Sequence, residues 1–273
     1  MELIEILKVV VLGIVEGVTE WLPISSTGHM LLVDEFIHMN VSESFKDMFF
    51  VVIQLGAILA VVMLFWDKMW PFQTKDKSKP VIRKDVFSMW FKVVVACIPG
   101  AIVTLLFDDY IEAHLHTPTV IALALVVYGV AFIVIENWNK NRTPKVLTLE
   151  DISYKTAFII GLFQVLSIIP GTSRSGSTII GALTIGVSRV AAAEFTFFLA
   201  VPVMIGLSFI KILKFGFSFT SVELITLAIG CVVAFLVSVL VIKFLMSYIK
   251  KRDFKIFGWY RIVLGVILLL YFM

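Results

Sequence analysis

The sequence predicts an all-α integral membrane protein built as an inverted repeat, each half a re-entrant helical hairpin followed by three transmembrane helices. Three observations predict it. Of the 273 residues, 60% are apolar and 16% charged, with a mean hydropathy of +1.01, whereas soluble domains carry roughly 45–50% apolar and about 25% charged residues. Six apolar stretches are long enough to cross a hydrocarbon core of about 30 Å, which takes about 20 helical residues. Two further apolar stretches are interrupted by polar runs and resemble one another. No segment is long and polar enough for a separate soluble domain of the usual ~50 residues or more. The expectation is therefore one membrane domain, 1–273, with repeat 1 at about 1–140 and repeat 2 at about 150–273.

In chain order, the first interrupted stretch is 3–37, broken by Pro23-Ile24-Ser25-Ser26-Thr27-Gly28-His29. Broken backbone at membrane depth is tolerated only where protein or a wet cavity satisfies its N–H and C=O groups. Each half is also short for a span, so a hairpin is predicted. Spans follow at about 47–66, 86–107 and 118–138. The second interrupted stretch, 153–187, is broken by the run from Pro170 to Thr178, and spans follow at 190–210, 222–247 and 256–272. Gly13-Ile14-Val15-Glu16 precedes Pro23 and a Ser/Thr run ending at Gly28, as Gly161-Leu162-Phe163-Gln164 precedes Pro170 and a run ending at Gly176. Aligning the two prolines requires one extra residue on each side. A hairpin returns to its own side and three spans cross an odd number of times, so the second copy is expected to be inverted, as in many membrane transport folds.

The net charge of +3 does not favour nucleic acid as a partner, and the positions of the charges say more than their sum. Lys68, Lys75, Lys77, Lys79, Arg83 and Lys84 fall between the first two spans, Lys140, Arg142 and Lys145 after the third, and Lys250, Lys251, Arg252 and Lys255 before the last. The opposite side carries Asp108, Asp109 and Glu112 without Lys or Arg; Lys211 and Lys214 are the exception. Basic loops mark the cytoplasmic side, which predicts both termini outside, the first hairpin entering from outside and the second from the cytoplasm. The N-terminus lacks a positive n-region and cleavage site, so the first apolar stretch is expected to be retained. Cys97 and Cys231 lie far apart in apolar runs without metal or redox spacing.

Both interruptions place Ser and Thr, good N-cap residues, before a restarting helix, whose N-terminus favours anions. Two such ends facing one another form a phosphate cradle. Arg174 at membrane depth costs from about 2.5 to over 10 kcal/mol, and its planar fork suits phosphate; the structural alternative is pairing with a buried Glu. Glu16 and Glu20 share one helix face and would repel unless a cation or Arg174 holds them, which suggests Mg²⁺ or Ca²⁺ with oxygen ligands. His29 is the only histidine in a hairpin, His38, His114 and His116 falling in outer loops. With Ser26, Thr27 and the two glutamates it has the parts of a phosphoryl-transfer site. Gln54 and Glu194 suit interhelical hydrogen bonding, and the Phe-rich 195–198 run suits packing.

Glu16-Gly17-Val18-Thr19-Glu20, then Pro23-x-Ser25-Ser26-Thr27-Gly28-His29, and Pro170-Gly171-x-Ser173-Arg174-Ser175-x-x-Thr178 resemble the paired signatures of the bacterial undecaprenyl-diphosphate phosphatase family, the bacitracin-resistance type. The likeness runs from the first hairpin to the last span. It implies hydrolysis of undecaprenyl diphosphate to the monophosphate and inorganic phosphate, recycling the lipid carrier of cell-wall synthesis, at the outer face of the bacterial cell (inner) membrane and with a divalent cation, Mg²⁺ or Ca²⁺. It also implies roles: Ser26 as nucleophile or phosphate contact, His29 as general acid/base, Glu16 and Glu20 as metal ligands or orienters of His29. Arg174, Ser173, Ser175, Thr178, Thr27 and Gly171 would bind phosphate. Serine, histidine or activated water all remain open as the attacking group, Ser26 being favoured as a hydroxyl at a helix N-terminus. The expected partners are an isoprenoid diphosphate lipid, the bilayer and a second copy in a homodimer. The competing class is a secondary transporter or prenyl-phosphate flippase on the same plan, which would need binding groups but no nucleophile, base and metal ligands together.

Overall fold

A computed structural model describes residues 2–73, 80–115 and 117–272, and all of its named elements are helical. Lys75, Lys77, Lys79 and His116 lie outside the described residues. The first half contains α1 (Leu3–Thr19), α2 (Ser26–Phe36), α3 (Glu43–Val52), α4 (Gln54–Leu64), the short α5 (Trp66–Met69), α6 (Lys84–Leu115) and α7 (Pro118–Asn139). The second contains α8 (Tyr154–Val165), a 3-10 turn (Leu166–Ile168), α9 (Arg174–Thr184), α10 (Arg189–Phe215), α11 (Ser221–Ile249) and α12 (Lys255–Phe272). Among the described residues, six helical stretches are long and apolar enough to cross a membrane: Glu43–Leu64, Lys84–Phe107, Pro118–Asn139, Arg189–Phe215, Ser221–Ile249 and Lys255–Phe272. They match the six predicted spans.

Local chemistry sets the ends. Ser42, Thr117, Ser153, Ser188 and Thr220 each accept a backbone N–H from the first turn of the helix they begin, satisfying one donor that a helix start leaves free. Thr220 and Glu223 complete a reciprocal capping box. Between α7 and α8, Asp151 Oδ2 accepts from the hydroxyl and the backbone N–H of Thr148, which holds the Asp151 carboxyl below its ordinary range. One boundary differs from expectation. The segment after 107, predicted as an acidic loop, continues α6 as helix to Leu115; the sequence from Ala101 to Leu115 contains neither Gly nor Pro, and nothing local stops the helix.

α1 packs on α11 and α6 on α8; α7 packs along α12, and α10 against α3, α4 and α9. Small residues permit the closest approach, as expected where lipid supplies no hydrophobic drive between helices. At the α7–α12 crossing a Cβ on Gly129 would meet the Gly258 carbonyl at 2.7 Å, and the reverse holds for Gly258. The largest buried cluster joins Trp21, Phe132, Phe195, Phe197, Phe198 and Phe254, so the 195–198 run is packing, as expected. Leu105, Leu240 and Leu270 lie among the exposed side chains, as a lipid-facing surface requires.

The interrupted stretches are helix–turn–helix pairs, α1/α2 and α8/α9. Their register is set by the capping serine rather than by the proline. Ser25 and Ser173 are the N-caps of α2 and α9, each with positive φ, 74° and 72°, and each accepts from the glycine N–H three residues on, Gly28 and Gly176. The sequence separation that superposes these serines also superposes Gly13 on Gly161 and Glu16 on Gln164 without a gap. Aligning the prolines is what made two insertions necessary.

Candidate active site

The turns after α1 and before α9 face each other. Glu20 is the C-cap of α1 and is 6% exposed. Its Oε2 accepts from Ser26 Oγ at 2.8 Å and its Oε1 from Arg174 Nη2 at 2.9 Å, while its backbone carbonyl accepts from Ser175 Oγ at 3.3 Å. One carboxylate thus holds both hairpins. Neither charge of the Glu20–Arg174 pair is well exposed, with side-chain exposures of 6% and 11%; each would be costly there without the other. This pairing of Arg174 with a buried glutamate is also the contact that the structural alternative for Arg174 foresaw.

Arg174 Nη1 donates to the Thr196 carbonyl at 3.1 Å, and its Nε is buried with no acceptor. Both Nη atoms are thus engaged, which leaves the Nε–H as the guanidinium donor without an acceptor among the described residues. Ser173 and Ser175 hydroxyls lie 3.1 Å apart beside it. Thr178, a turn further along α9, is fully buried; its hydroxyl contacts the Arg174 carbonyl at 3.0 Å and Thr196 Oγ1 at 2.8 Å. It braces Arg174 from behind. Thr27 is exposed at the first turn of α2. Gly171 has φ +93°, and a Cβ there would meet the Ile121 carbonyl at 2.5 Å, so this position requires glycine for backbone fit.

Glu16 is 1% exposed, and its Oε1 lacks a partner. No group of three His, Cys, Asp or Glu is placed to hold a metal among the described residues. The donors nonetheless fit a hard divalent ion of the kind held by one or two carboxylates, with substrate oxygens and water completing its shell. An orphaned buried carboxylate oxygen one helical turn from Glu20 is what such an ion would satisfy.

His29 is held by neither glutamate. Its Nδ1 lies 2.7 Å from the Ser25 carbonyl, which can only accept, so the proton sits on Nδ1. In the neutral ring Nε2 is then the acceptor, and it lies 2.7 Å from the Tyr260 hydroxyl. The rings are parallel, 5.6 Å apart. Neither Tyr260 nor its neighbour Arg261 was expected in the site. Arg261 is fully buried; Nη1 donates to Pro23 O at 3.1 Å, and Nη2 donates to Gly171 O and Thr172 O, both at 2.8 Å. It ties the two turns to each other. The available sequence signal was a cation inside the last span, inconspicuous because that span opens on a basic run. Glu194, left aside as an interhelical residue, pairs with Lys68 at 2.7 and 2.8 Å.

The family model described as bacitracin resistance protein BacA matches residues 9–267. The chain is 74% identical over 270 residues to an undecaprenyl-diphosphatase of Enterococcus faecalis, covering 99% of this chain and 98% of the relative. It is 62% identical over 273 residues to proteins of the same name from Lachnoclostridium phytofermentans and Desulfitobacterium hafniense, covering all of this chain and 99% and 98% of theirs. With the family model spanning nearly the whole chain and these likenesses running end to end, the protein belongs to the BacA bacitracin-resistance family.

Proposed function

We propose that the protein hydrolyses undecaprenyl diphosphate to undecaprenyl phosphate and inorganic phosphate, at a site between two re-entrant hairpins open to the outer face of the membrane. The observation that carries this is the Glu20 carboxylate joining Ser26 to Arg174, which sets a nucleophile, its base and a phosphate-binding fork side by side. The names of full-length relatives supply the substrate.

The terminal phosphate lies against Arg174 Nε–H, with the Ser173 and Ser175 hydroxyls and the first N–H groups of α2 and α9 around it. Ser26 Oγ attacks the terminal phosphorus while Glu20 takes its proton. The anhydride P–O bond breaks, and undecaprenyl phosphate leaves with the bridging oxygen. Water then attacks the phosphoserine, His29 Nε2 exchanging the Tyr260 hydroxyl for the water and taking its proton, while Glu20 returns its proton to Ser26 Oγ as the P–Oγ bond breaks and inorganic phosphate leaves. Mg²⁺ or Ca²⁺ held by Glu16 and Glu20 would offset phosphate charge. Tyr260 positions the His29 ring for the second step.

An inverted repeat is supported by the pairing of the helices. Exchanging α1 with α8 and α6 with α11 carries the α1–α11 contact into the α8–α6 contact, and α7–α12 into itself. The matched caps at Ser25 and Ser173 obey the same exchange. The basic loops support both termini outside.

The test is phosphate release from undecaprenyl diphosphate by purified protein, with and without EDTA. Release that EDTA stops is expected; none in either condition would favour a carrier. Phosphoserine at Ser26 after a rapid acid quench is the expected intermediate, and its absence during turnover would transfer the attack to water.

A further inference from the structure

We infer that a cavity of about 780 Å³ at the opposite end of α9 from Arg174 is a second anion site, one that takes a phosphate group. It lies between the end of α7, the 142–145 segment, the end of α9, the start of α10 and the end of α11. α9 has 11 residues, so about 15 Å of helix separates this cavity from the hairpin tips. None of the residues around Glu20 lines it.

The cavity is strongly basic. Lys140, Arg142, Lys145, Arg189 and Lys250 line the cavity against one carboxylate, Glu136. That carboxylate is already engaged: Arg189 donates to it through Nε at 2.9 and 3.1 Å and Nη2 at 2.5 Å, and the Phe254 N–H reaches Oε1 at 3.0 Å. Among the described residues Lys140, Lys145 and Lys250 meet no carboxylate, and the Arg142 guanidinium stacks on Trp138 at 4.1 Å rather than on an acid. Elsewhere Lys8, Lys46, Lys68 and Arg83 each find an acid. Four uncompensated cations around one concavity focus a positive potential that a dispersed basic surface lacks.

The walls of the cavity are held by hydrogen bonds. Lys145 and Val146 N–H groups both donate to the Gly186 carbonyl, Ser188 N–H donates to Val146 O, and Ser188 Oγ donates to Leu147 O. Asn139 Nδ2 donates to Leu183 O at 2.9 Å. Lys145 therefore stands on backbone fixed to the α9–α10 turn, and Asn139 ties the end of α7, where Lys140 lies, to the end of α9. Leu183, Val187 and Ile249 supply an apolar floor beneath them, and the volume exceeds what inorganic phosphate alone would fill. That combination fits a phosphate ester, whether a free phosphorylated solute or the headgroup of an anionic lipid.

The test compares Lys140→Ala/Lys145→Ala/Lys250→Ala with its parent, both carrying Arg174→Ala so that the hairpin site contributes little. One arm titrates inorganic phosphate by calorimetry in neutral detergent. The other measures retention of phosphatidylglycerol over phosphatidylcholine by native mass spectrometry from nanodiscs. The parent is expected to bind in at least one arm, with affinity about tenfold or more lower in the triple variant, and binding restored by the triple Lys→Arg version. Binding only in the first arm identifies a free phosphate ligand, only in the second a lipid headgroup; both support the site. No binding by the parent in either arm, or equal binding by the alanine variant with an unchanged melting temperature, overturns it. Introduced with Arg174 intact, the triple variant should release phosphate from undecaprenyl diphosphate at the parent rate.

Discussion

Glu20 meets Ser26 and Arg174 through separate oxygens, so each of those neighbours can be removed and read independently. Arg174→Lys keeps the charge but loses the planar fork and the Nε–H. It should lower phosphate release by about 100-fold or more, roughly 2.7 kcal/mol of transition-state stabilisation, with the melting temperature nearly unchanged. Near-normal turnover would remove the fork from the mechanism. Tyr260→Phe retains a ring against His29 but removes the hydroxyl at Nε2. A fall of about three- to tenfold in kcat with KM little altered is expected from the loss of one positioning hydrogen bond. Ser173 combines a side-chain cap with φ 72°, a backbone region costly for residues with a Cβ. Ser173→Gly should therefore melt at a higher temperature than Ser173→Ala, since both lose the cap but only glycine relieves the strain.

The α7–α12 crossing shows what the helices contribute beyond spanning. Gly129 and Gly258 let two backbones meet so closely that each carbonyl oxygen lies only 2.7 Å from where the other's Cβ would be. Gly129→Leu should destabilise the protein by about 1–3 kcal/mol through overpacking, read as a lower melting temperature in detergent. Because Arg261 stands on α12 and reaches Pro23, Gly171 and Thr172, the same variant should also reduce phosphate release; full activity despite the destabilisation would contradict this coupling. The span predictions succeeded here because helix length and hydrophobicity are local properties. The end of α6 did not, because acidic residues at an expected boundary do not stop a helix that lacks Gly and Pro.

Across the whole molecule, Arg261 is a fully buried cation whose described hydrogen bonds all go to backbone carbonyls of the two turns. A lysine has a single nitrogen and cannot span both turns as a guanidinium does. Arg261→Lys is thus expected to lower kcat by about tenfold or more, with helix content by circular dichroism preserved. Full activity would show that the turns hold their spacing without the clamp. Orientation belongs to this scale as well: a cysteine at Leu3, in a chain whose Cys97 and Cys231 are replaced, should react with an impermeant maleimide added outside intact cells.

The sequence by itself determined that this is a membrane protein with six spans and two interrupted stretches, and it singled out Glu20, Ser26, His29 and Arg174. Charges and breaks are rare in a 60% apolar chain, and polar groups are expensive in lipid, so each one is informative where it stands. Tertiary structure alone decided who touches whom: Glu20 on Ser26 and Arg174, His29 on Ser25 and Tyr260, and Arg261 across both turns. Tyr260 and Arg261 lie more than 200 positions from the first hairpin, and no local pattern encodes a contact closed by helix packing. The correspondence between the two capped turns also emerges only from the structure. Proline marks a turn in sequence, but the strained serine that caps the next helix fixes where the two turns correspond.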